Sequence, residues 1–321
     1  MSGLPPIAAI GWSPFMSTRP STCAQIWHMC RFCTHLGNGR FDEPQIFSWF
    51  TVEELLFVAE TLYFLGSQRL RMMARLQAAA ATEDITPEVG CALAAYQRTD
   101  RSKGVLDRLE LSALMLRSDA STFVWITVDN IAFLVGETDP IRLGVANLCK
   151  TPPSHVMVSF SHTHSGPEVD AGCLKLVTEK SIEAVTRCLK SLQPASVGWG
   201  MASADASINR RSAGVSKAST SGPIDGPVDR RVGVLRINDA AGRPLAVLIR
   251  YSTHGTVLRG DNLLVSADWP GALRNELRPA LGCPVMVANG SAGDSNPRWR
   301  GSPNDLRCVA DAIAGASACQ F

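Results

Sequence analysis

From residue 85 onward, short apolar runs alternate with longer stretches of helical spacing. Leu109–Leu116 and Phe123–Val128 read as strands, and Ser118-Asp119 between them has a turn composition, so a hairpin is expected. Asp139–Lys150 reads as a helix, His155–Phe160 as a buried strand, Leu174–Leu192 as a helix and Ala195–Met201 as a strand. Gly222–Val228 is a Gly/Pro-rich loop. Arg231–Ile237 and Leu245–Tyr251 form a second hairpin around Ala240-Ala241-Gly242-Arg243-Pro244. Pro270–Leu281 suits a helix with proline in its first turn, Pro284–Ala288 a short buried strand, and Asn304–Ala314 a last helix. Ahead of this, residues 1–50 show no clean periodicity. Thr51 and Glu54 match a capping box, and the apolar-rich run to Leu76 reads as one long helix or two broken at Gly66. This order predicts an α/β (mixed α+β) fold, a layered sandwich of mixed β-sheet covered by helices. Residues 1–84 are read as an extension, partly helical, and 85–321 as the main domain.

Composition narrows the partners. The 321 residues are 45% hydrophobic and 19% charged, enough for a real core. A net charge of +2 gives no general reason to expect nucleic acid or an anionic membrane. No stretch reaches the roughly 18 uninterrupted apolar residues of a membrane span; the most apolar window, Ile46–Leu65, is broken by Glu53, Glu54 and Glu60. No basic residues precede an apolar run at the N-terminus, so no secretion signal is read and the chain as written looks cytoplasmic. Cys91, Cys149, Cys173, Cys188 and Cys308 sit among apolar neighbours like small buried hydrophobes. Cys23, His28, Cys30, Cys33 and His35 contain one Cys-x-x-Cys without a second ligand pair at regular spacing, which favours incidental cysteines over a zinc knuckle.

The chemistry gathers where apolar runs end. Val156-Met157-Val158-Ser159-Phe160 leads into Ser161-His162-Thr163-His164-Ser165-Gly166-Pro167. Side chains alternate along an extended segment, so His162 and His164 point the same way from a strand end. Two converging imidazoles suit zinc or another borderline metal. Two more clusters follow apolar strands: His254 with Ser266-Ala267-Asp268-Trp269, and Asn289-Gly290-Ser291-Ala292-Gly293-Asp294-Ser295-Asn296-Pro297. Strand ends on one rim are where α/β proteins place their sites. Each cluster alone has a structural alternative: a core histidine at 254, a helix cap at Asp268, a turn at Gly293-Asp294.

Ser161–Pro167, Ala206-Ser207-Ile208-Asn209-Arg210, Tyr251–His254, Ser266–Gly271 and Asn289–Pro297 occur in one order. That set resembles the N-terminal, catalytic domain of the neutral/alkaline (non-lysosomal) ceramidases, zinc amidohydrolases that split the N-acyl bond of ceramide. The resemblance runs from about Ile85 to the C-terminus, 237 residues. It implies that His162 and His254 bind Zn2+ and that His164 sits beside the metal to hold or protonate the reacting group. Arg210 matches an arginine near the substrate, and Gly293, Asp294 and Asn296 match the wall facing the scissile amide. The implied reaction is attack of a metal-activated water on the amide carbonyl of ceramide or a related N-acyl lipid. Arg210 or His164 would stabilise the oxyanion or protonate the leaving amine.

The chain departs from the family in three places. The family completes its zinc shell with a glutamate and a tyrosine beyond the Gly-Asp segment, and neither residue type occurs after Pro297 here. This points to a fragment, with a C-terminal partner segment supplying ligands, or to an incomplete domain without catalysis. Another amide or ester substrate is the third reading. Asn296 stands where the ceramidases proper carry serine, and Gly255 follows His254 where proline is usual. Family members commonly begin just before the Ile85-Thr86-Pro87 segment, often after a secretion signal, so residues 1–71 are an extension or a mistaken start.

Overall fold

The computed structural model describes residues 76–119, 121–211, 226–318 and 320–321. The expected helix from Thr51 to residue 75, the cysteine–histidine group at 23–35 and residues 222–225 lie outside these. In chain order the strands are β1 (Gln77–Asp84), β2 (Gly104–Val105), β3 (Glu110–Arg117), β4 (Thr122–Val128), β5 (Val156–Phe160), β6 (Gln193–Ser203), β7 (Ser207–Asn209), β8 (Arg231–Asp239), β9 (Pro244–Tyr251), β10 (Leu264–Val265), β11 (Val285–Asn289) and β12 (Ser295–Pro297). The α-helices are α1 (Val135–Cys149), α2 (Ala171–Ser191), α3 (Trp269–Leu281) and α4 (Pro303–Ala318).

Eight strands join in the order β11-β9-β8-β6-β1-β3-β4-β5. Both expected hairpins, β3–β4 and β8–β9, are antiparallel, while β4–β5 and β9–β11 are parallel. Alternation along the strands separates three cores. Leu111, Ala113 and Met115 of β3, with Val124, Ile126 and Val128 of β4, face Ile141 and Val145 of α1 and Val177, Val185 and Cys188 of α2. Val232, Val247, Ile249, Val285 and Val287 face Leu273 and Leu277 of α3 and Leu306, Val309 and Ile313 of α4. Residues of opposite parity, Ala78, Leu114, Ile237, Leu248 and Met286, meet in a third core between the two halves. Within the eight-stranded sheet the two halves join at the paired positions Gln77↔Pro194 and Ala78↔Gln193. The product is a helix–sheet–sheet–helix sandwich, the layered α/β architecture expected. Each fully buried Leu or Ile in it contributes roughly 1.5–3 kcal/mol.

A buried ion pair pins α3 to the first half. Arg274 donates both Nη1 and Nη2 to Asp129, just past β4, with side-chain exposures of 7% and 2%. Arg278 reaches Glu110 of β3 at 2.9 Å.

Some expectations change. The sheet starts at Gln77, so it is continuous across the boundary placed at residue 85: β1 lies between β3 and β6. Helix α1 begins at Val135, ahead of the expected Asp139, because the Glu137 carboxylate accepts from the Leu134 N–H at the helix start, and Pro140 falls inside the helix. Strand β5 is an edge strand in which only Val156 is fully buried. Of the cysteines, Cys149 and Cys188 are buried, Cys91 and Cys173 half-buried, and Cys308 exposed on α4, since it falls off that helix's apolar face. No helix among the described residues is long and apolar enough to cross a membrane.

Candidate metal centre

Three strand ends build the site. After β5, Ser161 N–H still bonds Val128 O at 3.0 Å, then His162 turns into the left-handed region at φ +60°. Simple alternation has therefore ended before the histidines. Convergence comes instead from an isolated parallel bridge, Thr163↔Gly255, with His164 N–H donating to Gly255 O at 3.0 Å. The approach is close because residue 255 is glycine: a Cβ there would lie 2.8 Å from the His162 carbonyl carbon and 2.9 Å from Thr163 Cα. His254 follows β9, and its N–H donates to Ser295 O at 3.1 Å. Asn289 Nδ2, at the end of β11, donates to Ser161 O at 3.2 Å and closes the third side.

The rings converge as the residue types require. Centroids are 5.0 Å apart for His162–His164, 4.7 Å for His162–His254 and 5.5 Å for His164–His254. One nitrogen from each lies within 4.8 Å of the others, and the His162 and His164 Nε2 atoms are 3.4 Å apart. His162 Nδ1 faces Ile131 O at 2.7 Å, and His254 Nδ1 faces Ala292 O at 2.6 Å. A carbonyl only accepts, so each Nδ1 carries the proton and each Nε2 presents a lone pair. Burial, then the neighbouring His162 and His254 and the charges of Arg98 and Arg210, pushes His164 down to about 3. Burial, Arg210 and His162 push His254 down to about 4. Both are therefore neutral at pH 7 and ready as ligands without losing a proton. Three imidazoles with one nitrogen each within 4.8 Å of the others are a donor set that fits zinc.

The other expected residues arrive on a second small ladder. β7 pairs with β12 through Asn296↔Ile208, which brings Arg210 beside the 289–297 loop. Arg210 N–H donates to Asp294 O at 2.7 Å, and its Nε and Nη2 donate to Gly293 O at 3.1 and 2.8 Å. Gly293 itself has open space where a Cβ would sit, so its carbonyl, not its lack of side chain, serves the site. The Asp294 carboxylate accepts from Ser295 Oγ at 3.2 Å. Asn296 is buried with Oδ1 unpaired. Asp268 does cap α3, accepting from Trp269 N–H at 2.9 Å, and it also holds the Val257 and Leu258 N–H groups, each at 3.1 Å.

Six buried side-chain polar atoms among the described residues lack a partner: Ser161 Oγ, His164 Nδ1, Ser252 Oγ, Thr253 Oγ1, Thr256 Oγ1 and Asn296 Oδ1. All belong to the segments that converge here, and unpaired buried polar atoms mark a site built for a ligand. Sequence reasoning missed Tyr96, Arg98 and Arg300. The Tyr96 ring packs on His164 with centroids 5.2 Å apart, and Arg98 lies 4.9 Å over that ring. Arg98 Nη1 donates to His164 O at 2.9 Å, and Arg300 Nε to Thr256 O at 3.2 Å. The Ala95-Tyr96-Gln97 run, all at positive φ, has no periodic signature.

No family model matches the chain. It is similar to neutral ceramidases A and B of Dictyostelium discoideum, at 27% and 26% identity over 175 residues; each match covers 46% of this chain and 24% of the relative. The chain thus spans about a quarter of the length of these relatives. Its fold is similar to the crystal structure of the neutral ceramidase from Pseudomonas aeruginosa, with a TM-score of 0.64 and 20% identity over 76% of this chain and 44% of that one. A structure described as ceramidase complexed with C2 matches equally, at TM-score 0.64 and 20% identity, over 76% of this chain and 43% of that one. These likenesses show that the described residues share the fold of the solved ceramidases, and that part of the chain is similar in sequence to curated neutral ceramidases.

Proposed function

We propose that this domain serves zinc-dependent hydrolysis of the N-acyl amide bond of ceramide or a related N-acyl lipid. The observation that carries the reading is the meeting of His162, His164 and His254, two of them with Nδ1 fixed by carbonyls so that Nε2 faces the common point. His162 and His254 hold the metal, with His164 near enough to join them. Bound zinc supplies Lewis acidity and lowers the pKa of water to about 7. Arg210, anchored on Gly293 O, offers its remaining N–H groups to the charge that develops on the carbonyl oxygen. His164, whose Nδ1 has no partner among the described residues, would take up the proton that the attacking water loses and pass it to the leaving amine. Asn296 Oδ1 accepts the scissile N–H, and Asp294 completes that wall. Leu134 and Val135, 73% and 78% exposed and close in sequence to Ile131 at His162, give an apolar surface for the acyl chain.

Further ligands from a C-terminal partner segment complete the shell in this reading. A second reading, a domain that keeps the fold without turnover, is favoured by one observation: the metal-competent group among the described residues contains no carboxylate. Long-chain N-acylsphingosine supplied to the zinc-loaded chain separates the two. Turnover that disappears in His162→Ala supports the hydrolase. Full turnover in that variant sinks it, and zinc bound without turnover of this or any other amide favours the second reading.

A further inference from the structure

Four arginines gather around the histidines, and main-chain carbonyls hold each of them. Arg98 donates to His164 O, to Ala94 O at 2.7 Å and to Gly260 O at 3.1 Å. Arg210 is anchored on Gly293 O, one residue past the Ala292 carbonyl that fixes His254. Arg211 Nη2 shares that carbonyl at 3.4 Å. Arg300 is anchored on Thr256 O, two residues past His254, and lies beside the Tyr96 hydroxyl. Every anchor is a neutral carbonyl, which orients a guanidinium without cancelling its charge. Among the described residues none of these four has a carboxylate at ion-pair distance, whereas Arg230, Arg231, Arg250, Arg274, Arg278 and Arg298 all do.

The nearby carboxylates do not balance this charge. Asp261 faces Arg98 and Asp294 faces Arg210. Asp268 is wholly buried, with its oxygens taken by three backbone N–H groups. Four cations thus stand against two accessible carboxylates, before a divalent metal adds to the excess. Burial and the charges of Arg211 and Arg300 press on Arg210, so the cluster is held at an electrostatic cost. An uncharged substrate would leave that cost standing. An anion relieves it, and a planar carboxylate can bridge guanidinium N–H groups bidentately. Arg210 Nη1 has no partner among the described residues, so one such donor is available.

Resting on the amidohydrolase reading above, we infer that the substrate is an N-acyl amine whose amine half carries an anionic group, as in an N-acyl amino acid, rather than an N-acylsphingosine with its uncharged diol. Arg210 and Arg300 adjoin the His254 side, which puts the anion of the amine half there.

The test is calorimetric binding of three probes with one acyl chain to the zinc-loaded full chain: N-octanoylglycine, N-octanoyltaurine and the uncharged N-octanoylethanolamine. Glycine and taurine conjugates should bind about tenfold or more tightly than the ethanolamide, an advantage that shrinks in about 0.5 M salt. Selectivity for the glycine conjugate over the taurine conjugate identifies a carboxylate as the anion; equality leaves any single anionic group. Arg210→Gln and Arg300→Gln should each remove most of the preference, Arg210→Lys should restore part of it, and Arg243→Gln, at a distant paired arginine, should leave it intact. Equal binding of charged and uncharged probes, no binding of any, or an unchanged preference in both Gln variants would overturn the inference. Anion-selective binding without amide turnover would instead sink the hydrolase reading. Turnover of the ethanolamide with no anion preference would sink the anion inference alone.

Discussion

Gly255→Ala tests whether the geometry of the histidines depends on one close backbone approach. The added methyl would sit 2.8 Å from the His162 carbonyl carbon and 2.9 Å from Thr163 Cα, and closer still to the His162 oxygen. Ordinary contact begins at 3.4 Å, so the His162–Thr163 backbone must retreat by at least 0.6 Å. These obstacles are main-chain atoms and cannot rotate aside. Retreat opens the Thr163↔Gly255 bridge and stretches the His164 N–H bond to Gly255 O. Overpacking of this kind costs about 1–3 kcal/mol. Ligand sets tolerate about 0.5 Å of misplacement, so metal affinity should fall about 10- to 100-fold, the range seen when support of a ligand is lost. Urea denaturation of the metal-free chain reads the first effect, and chelator competition for zinc reads the second. Gly293→Ala, where a Cβ meets nothing within 4 Å, is the control and should change neither. A Gly255→Ala chain as stable as the parent, with unchanged zinc affinity, would refute the reasoning.

Three further outcomes follow from the packing and electrostatics. Arg274→Ala leaves Asp129 buried without its cation and should destabilise by about 3–5 kcal/mol in urea melts; a loss under about 1 kcal/mol would mean that water or relaxation solvates Asp129. His254, held at about 4, titrates near 6.5 when unfolded, so between those values the unfolded chain binds more protons. Metal-free stability should therefore rise with pH from about 4 to about 6.5 and level off above, by at most about 3 kcal/mol from this residue, and His254→Gln should flatten the rise. Asn289→Ala removes the tie between β11 and Ser161 O and should cost about 0.5–1.5 kcal/mol while weakening zinc binding; chelator competition checks the second part.

Much of the fold was legible because its signals were local. The hairpins β3–β4 and β8–β9 carry apolar runs broken by turn residues, and α3 has proline in its first turn after a capping aspartate. Strand β1 was not legible: Gln77-Ala78-Ala79-Ala80-Ala81 has the intrinsic preference of a helix. Tertiary context overrides it, since small side chains on β1 sit between two cores, Ala79 and Ala81 on one face and Ala78 on the other. The polar clusters at strand ends were readable, but the acceptors that fix the rings, Ile131 O and Ala292 O, are main-chain atoms with no side-chain signature. Tyr96, Arg98 and Arg300 reach the histidines through turns and long side chains, which no spacing rule captures.

The central claim is that His162, His164 and His254 form one metal site, and zinc content per chain tests it most directly. Purified protein should be analysed by elemental mass spectrometry beside His162→Ala and His254→Ala, with circular dichroism to show that each variant is folded. The account predicts about one zinc per parent chain, lost in both folded variants. A parent chain without zinc after loading, or variants that keep it, would contradict the claim.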